Sequence, residues 1–202
     1  MNVVPELSQE WAPLTLEQVA ELLRPAPFRW WIAGGWAIEL FVGHPIRPHK
    51  DVEVTVLPSE QGLVRQWLDR WEFWYVPTPG GLRRWGAGER LEHPLHEIWA
   101  RPGGEARWRL ELLLENTASS DEWSYRRDAR ITLPLDRFGT VIDGKPVVRP
   151  EVALLYKSKD PRENDQYDFA AAAPLLSNDA RRWLGSALKR SSWQSDWLAA
   201  LS

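Results

Sequence analysis

The sequence predicts an α+β fold, with strands and helices mixed over residues 1–149 and helices alone over residues 150–202. Three observations lead there. Apolar residues recur at helical spacing near the start, short apolar or alternating runs punctuated by Gly and Pro fill the middle, and only helical spacing remains beyond Pro150. The expected division is therefore an α/β core at 1–149 and a helical C-terminal lobe at 150–202.

Thr15 is placed to cap a helix whose apolar face is Leu16, Val19, Ala20, Leu22 and Leu23, and Pro25 and Pro27 stop it. Phe28 to Ala33 reads as a buried strand, Gly34-Gly35 as the turn into a helix over 36–42, and Gly43 as its C-terminal cap. Asp51 to Leu57 alternates polar residues with Val52, Val54 and Val56, the pattern of a strand with one apolar face. Pro58-Ser59 opens a helix bearing Leu63, Val64, Trp67 and Leu68, and Phe73 to Val76 forms the next strand. Residues 77–94 are rich in Pro, Gly and Arg without periodicity and predict a long loop. Strands at 97–100 and 108–114 join through Pro102-Gly103-Gly104. A further strand pair is expected between 125–135 and 140–148, with Asp143-Gly144 at the turn. Four helices follow, at 151–159, 162–175, 179–189 and 193–201, with Ser177 capping the third.

Composition narrows the function classes. A formal net charge of -3 argues against broad wrapping of nucleic acid, which requires many phosphate-neutralising cations. The absence of cysteine removes disulfides, thiolate metal sites and cysteine nucleophiles, and fits a reducing compartment. The opening residues lack a basic region followed by a long apolar run, and no stretch reaches membrane-spanning length, so a cytoplasmic location with no membrane partner is expected. The 14 tryptophans follow no fixed period and are assigned mainly to packing.

The chemistry concentrates in residues 32–54. Asp51 and Glu53, two apart on a strand, project to one side, and carboxylates held together repel unless a cation joins them. Mg²⁺, which takes oxygen ligands from one or two carboxylates and from phosphates, matches that demand. Gly34-Gly35, between an apolar strand and a helix, brings free backbone N–H groups within reach of phosphate oxygens. Walker and dinucleotide glycine signatures are absent, as are the His-Glu-x-x-His spacing of zinc hydrolases and the Gly-x-Ser-x-Gly elbow of serine hydrolases. His93 and His96 are assigned to loop packing.

The run Gly34-Gly35-Trp36-Ala37-Ile38, followed by Gly43, Arg47, His49, Asp51 and Glu53, resembles the aminoglycoside and lincosamide nucleotidyltransferases of the DNA polymerase β-like superfamily. Arg109-Leu110-Glu111 resembles the strand that supplies the family's third carboxylate, Pro150-Glu151 to Leu155 the helix that opens its C-terminal lobe, and Asp165 and Asp168-Phe169 a further family segment. The chain departs from the pattern at Glu39, where the family usually has Asp, and at His44, where it has Arg, and Glu53 stands where well-known resistance enzymes have Asp. A Glu in place of Asp moves the carboxylate by about one C–C bond, on the order of 1.5 Å.

The resemblance implies a nucleotidyltransferase-type mixed sheet with flanking helices. It also implies an enzyme that moves a nucleoside monophosphate from a triphosphate, ATP by preference, to a hydroxyl of a small acceptor such as an aminoglycoside or lincosamide antibiotic. Asp51, Glu53 and Glu111 would hold Mg²⁺ and carry the catalysis, with Glu111 or Glu89 taking the hydroxyl proton and Glu115 standing in if Glu111 is displaced. Arg47 and His49 are read as triphosphate contacts or as solvated loop charge, and Lys157 as a phosphate contact or a surface lysine. Tyr125-Arg126-Arg127-Asp128 either positions a substrate or pairs ions at a strand edge. Three other readings remain open: transfer to a protein or tRNA, a non-catalytic nucleotide-binding module on the same fold, and a Trp-rich scaffold whose carboxylates decorate a strand.

Overall fold

The computed structural model describes residues 10–77, 81–191, 193 and 195–201. In chain order the helices and strands are α1 (Leu16–Leu23), β1 (Trp30–Ile32), α2 (Gly34–Val42), β2 (Glu53–Val56), α3 (Gln61–Trp67), β3 (Trp71–Tyr75), β4 (Arg83–Arg84), β5 (Glu97–Pro102) and β6 (Leu110–Leu114). There follow β7 (Asn116–Thr117), β8 (Glu122–Tyr125), β9 (Asp128–Pro134), β10 (Gly139–Ile142), β11 (Lys145–Val148), α4 (Pro150–Lys157), α5 (Glu163–Ala172) and α6 (Asn178–Arg190). Two compact units divide the chain: residues 1–30 with 50–116, and residues 31–49 with 117–202. Position 149/150 lies inside the second of these.

In the first unit five strands lie in the order β2-β6-β5-β3-β4. β2 and β6 are parallel, whereas β6, β5, β3 and β4 pair antiparallel, which makes the sheet mixed. The register sets Val54 beside Leu112 and Leu112 beside Ile98, all buried on one face. α1 begins with a capping box: the Gln18 amide donates to the Thr15 hydroxyl at 3.2 Å and the Thr15 amide donates to the Gln18 side chain at 2.9 Å. The expected long loop is tied down in its described part. Gln61 donates to the Leu91 carbonyl and accepts from the Leu91 amide, Arg65 donates to the Trp85 carbonyl, and the Trp85 and Leu91 side chains are buried.

The second unit is centred on α2, α4, α5 and α6, with β11 parallel to β1 through Ile32 and Val147. Here the expected strand pairing is corrected. β9 pairs with β8 instead of with 140–148, and 140–148 is itself a hairpin, β10 with β11, turning at Asp143 and Gly144 with φ of 48° and 72°. Two left-handed residues suit the twist of a tight hairpin, so each segment finds its partner locally. Gly43 caps α2 with φ 82°, and Ser177 caps α6 by accepting from the Ala180 amide at 3.2 Å. Residues 196–201 form 3-10 turns, and position 194, within the expected last helix, lies outside the described residues. Aromatic packing is heaviest around Trp123, which meets Tyr125, Phe138, Tyr156 and Trp183.

Replacing Thr15 by Ala removes one half of the capping box, and chemical denaturation should show a loss of about 1 kcal/mol. An unchanged midpoint would mean that α1 is held by packing alone.

Candidate active site

The carboxylates gather on the polar face of the first unit's sheet. Glu53 lies directly beside Glu111 in the parallel β2–β6 register, and Glu111 lies beside Trp99 in the antiparallel β6–β5 register. Because strand residues two apart share a face, Glu97 falls on the same side as Trp99, and therefore on the side of Glu111 and Glu53. Asp51 sits two residues before Glu53, just ahead of the strand, which begins at Glu53 and not at Asp51 as the alternation predicted. Val52 and Val54 are buried.

The electrostatic consequence is large at Glu111. Burial, then the charges of Glu53, Glu97 and Asp51, push its carboxyl up to about 9. Glu111 accordingly holds a proton at neutral pH when no cation is present. Glu97 is the participant that sequence reasoning missed. The Pro102-Gly103-Gly104 turn signals that β5 and β6 pair, whereas the register that sets Glu97 on this face comes from the structure. Among the described residues no three His, Asp or Glu side chains are already arranged as a ligand shell. The donor set is nonetheless of the right chemistry for a hard divalent cation, because oxygen ligands crowded enough to force a proton onto one of them gain most when that proton is replaced by a metal.

Two other carboxylates find structural work. Glu115 is buried and accepts from the Thr55 hydroxyl at 3.0 Å. Glu89 is exposed and accepts from the Gly86 amide at 2.8 Å, closing its own turn.

The residues predicted to meet the nucleotide lie in the second unit. Gly34 takes φ 60° and starts α2, with Gly35 next in its first turn, and the N-cap, Ala33, supplies no side-chain hydrogen bond. A Cβ on Gly35 would lie 2.8 Å from both Cε1 and Nδ1 of His49 and would overlap the Arg47 guanidinium. The missing side chain therefore makes room first for Arg47 and His49, a role that the phosphate argument did not anticipate.

Arg47 donates from Nε and Nη2 to the two oxygens of Asp168 at 2.9 and 2.8 Å, and Asp168 is fully buried. Lys157 Nζ lies 2.9 Å from Asp168 and 3.0 Å from Asp165. Burial raises Asp165, but Arg162 and Lys157 outweigh it and leave the carboxyl below its usual value. His49 Nε2 is 2.9 Å from Glu39 and its ring stacks on Trp36 at 4.4 Å. Burial raises Glu39 as well, and hydrogen bonds from the Ile46 amide and His49 reverse that. Arg47, His49 and Lys157 are thus brought into one connected set, and neither the solvated-loop nor the surface-lysine reading describes them. In the segment 125–128, Arg127 donates to the Tyr156 carbonyl at 2.7 Å and Asp128 pairs with Arg130.

Residues 15–71 match the sequence model of the aminoglycoside-2''-adenylyltransferase family, a segment that runs from Thr15 through Gly34, Gly35, Arg47, His49, Asp51 and Glu53. Over that segment the chain is similar to this family. The solved structure of the lincosamide antibiotic adenylyltransferase LnuA, lincomycin-bound, superposes with a TM-score of 0.53 at 16% identity, over 82% of this chain and 100% of that one. ANT(2")-Ia in complex with adenylyl-2"-tobramycin gives 0.50 at 14% identity, over 86% and 95%. At these identities the likeness establishes the nucleotidyltransferase fold. No curated protein sequence matches the chain. Among the described residues no helix is long and apolar enough to cross a membrane.

Glu111 makes the first unit's stability pH-dependent in a defined direction. Its raised carboxyl contributes fully below about 4.5, and that contribution is lost as the pH rises towards about 9, because the unfolded chain releases the proton first. Glu111→Gln should therefore be more stable than the parent at pH 8. The gap should widen with pH on the order of 1 kcal/mol per unit between pH 5 and 9 in metal-free buffer. Parallel curves for the two proteins would contradict the crowding. Gly35→Ala should push Arg47 and His49 off the helix start and cost about 2–3 kcal/mol in urea denaturation. Parent-like stability would show that the space is not needed.

Proposed function

We propose that the protein is a Mg²⁺-dependent nucleotidyltransferase that moves a nucleoside monophosphate, AMP by preference, from a triphosphate to a hydroxyl of a small acceptor of the aminoglycoside or lincosamide kind. The observation that carries this reading is the register that sets Glu53 beside Glu111, with Asp51 and Glu97 close enough to raise Glu111. The family match across 15–71 and the fold support it.

Asp51, Glu53 and Glu111 are the metal ligands in this account. When bound, the cation supplies neutralisation of the phosphate charge and polarises the α-phosphoryl group. The acceptor oxygen forms a bond to the α-phosphorus as the bond to the β-phosphate bridging oxygen breaks, and pyrophosphate leaves. The hydroxyl proton passes to a carboxylate oxygen of Glu111 once that group has lost its own proton. In the second unit, the α2 amides at Gly34 and Gly35 and the cations Arg47, His49 and Lys157 are assigned to the nucleotide. Arg47 and Lys157 already bind Asp168 in the structure, so phosphate would be a second anion on side chains that a buried carboxylate orients. A cytoplasmic location, where nucleoside triphosphates are plentiful, suits this chemistry.

That same pairing favours one alternative, a non-catalytic nucleotide-binding module in which the second-unit cations serve folding alone. Pyrophosphate release from ATP and Mg²⁺ in the presence of an aminoglycoside and lincosamide panel separates the two. The proposal expects product of the mass of acceptor plus AMP, and a rate about 100-fold lower or less in Asp51→Asn, which removes a charge that stabilises the transition state. Nucleotide binding by calorimetry with no turnover on any acceptor, in all four triphosphates, would leave the non-catalytic module standing.

A further inference from the structure

We propose that the second unit carries a separate binding site for a small zwitterion with an apolar group, in a cavity of about 410 Å³ bordered by Arg137, Arg149, Glu151 and the loop that precedes α6. The inference does not depend on nucleotidyl transfer. None of its residues is among those assigned to the nucleotide or the metal.

Glu151, in the first turn of α4, is 5% exposed, yet among the described residues it forms no ion pair, and it accepts only from its own backbone N–H. A buried carboxyl without an outside donor is costly, and burial raises it despite the nearby charges of Arg149 and Arg137. Arg149 donates through Nε to the Gly139 carbonyl at 3.4 Å, a long contact, and among the described residues neither it nor Arg137 joins an ion pair. Asp179, also on the wall, is already matched by Arg182. The charges left over are one buried acid and two guanidinium groups, facing one space. Thr140 and Ser177 add hydroxyls to the wall, and its apolar part includes Phe41, Ile142, Leu176, which is buried, and Leu175, which is 54% exposed at the rim.

A ligand that bears only an anion would satisfy the arginines and leave Glu151 without a partner. One that bears only a cation would do the reverse. A zwitterion places its carboxylate on the guanidinium groups and its ammonium on Glu151, and an apolar side chain of modest size covers Leu175 and Leu176. Free apolar α-amino acids are the simplest members of that class.

Calorimetric titration of the purified full chain with L-leucine and L-phenylalanine tests this, beside isocaproate, which keeps the carboxylate, and isoamylamine, which keeps the ammonium. The amino acids should bind, and each single-charge analogue should bind about tenfold more weakly or worse. Glu151→Gln and Arg149→Gln should each weaken the amino acids to a similar degree. Leu175→Asp, at an exposed position where folding is not at risk, should also do so, while Asp51→Asn should leave binding unchanged. Absence of heat with every probe, isocaproate binding as tightly as leucine, or full binding by Leu175→Asp would each overturn the site.

Discussion

The parallel pairing of β2 with β6 is the constraint from which the rest of the functional argument follows. It brings Glu53 and Glu111 side by side, and no rotamer choice can carry two residues in direct register far apart. Like charges opposite one another on a sheet oppose folding, so a chain that keeps them there must neutralise them. In the free protein the neutralising species is a proton on Glu111, held at about 9. A divalent cation would do the same work and add chemistry. The apolar ladder beneath, Val54 beside Leu112 beside Ile98, supplies the burial that offsets this repulsion.

The second unit is organised by a different use of charge. Asp168, fully buried on α5, is shared by Arg47 and Lys157, and Arg47 in turn rests in the space that Gly35 leaves at the start of α2. Removing one partner of a buried pair costs about 3–5 kcal/mol, which is enough to make this set a structural unit in its own right. The same residues would present two oriented cations to an anionic ligand. The proposed nucleotide role would therefore be combined with a structural one, and substitution at Lys157 or Arg47 would bear on both.

Local signals in the sequence were reliable. Thr15 with Gln18, Gly43, Ser177 and the Pro102-Gly103-Gly104 turn each specify an element end through bonds made within a few residues, and each is found where its chemistry places it. The polar face of Asp51 and Glu53 was legible for the same reason, since period-two alternation is a local property. What was not legible was partnership at a distance. The residue pattern in 125–135 and 140–148 predicts extended chain and not its partner: β9 joins β8, and 140–148 folds back on itself. Glu97 was passed over because it carries no motif and acquires its meaning only from the β5–β6 register. Gly35 was read as leaving room for phosphate, whereas the first occupants of that room are Arg47 and His49, 12 and 14 residues downstream.

Crowding of Glu53, Asp51 and Glu97 around Glu111 is the source of the proposed demand for a cation. Carboxyl-carbon NMR titration of the glutamates, with Glu111 assigned through Glu111→Gln, measures it directly. The account predicts a resonance that titrates near 9 in metal-free buffer and moves down by several units when Mg²⁺ and a non-hydrolysable triphosphate are added. Titration near the ordinary glutamate value, with no response to Mg²⁺ and nucleotide, would contradict it.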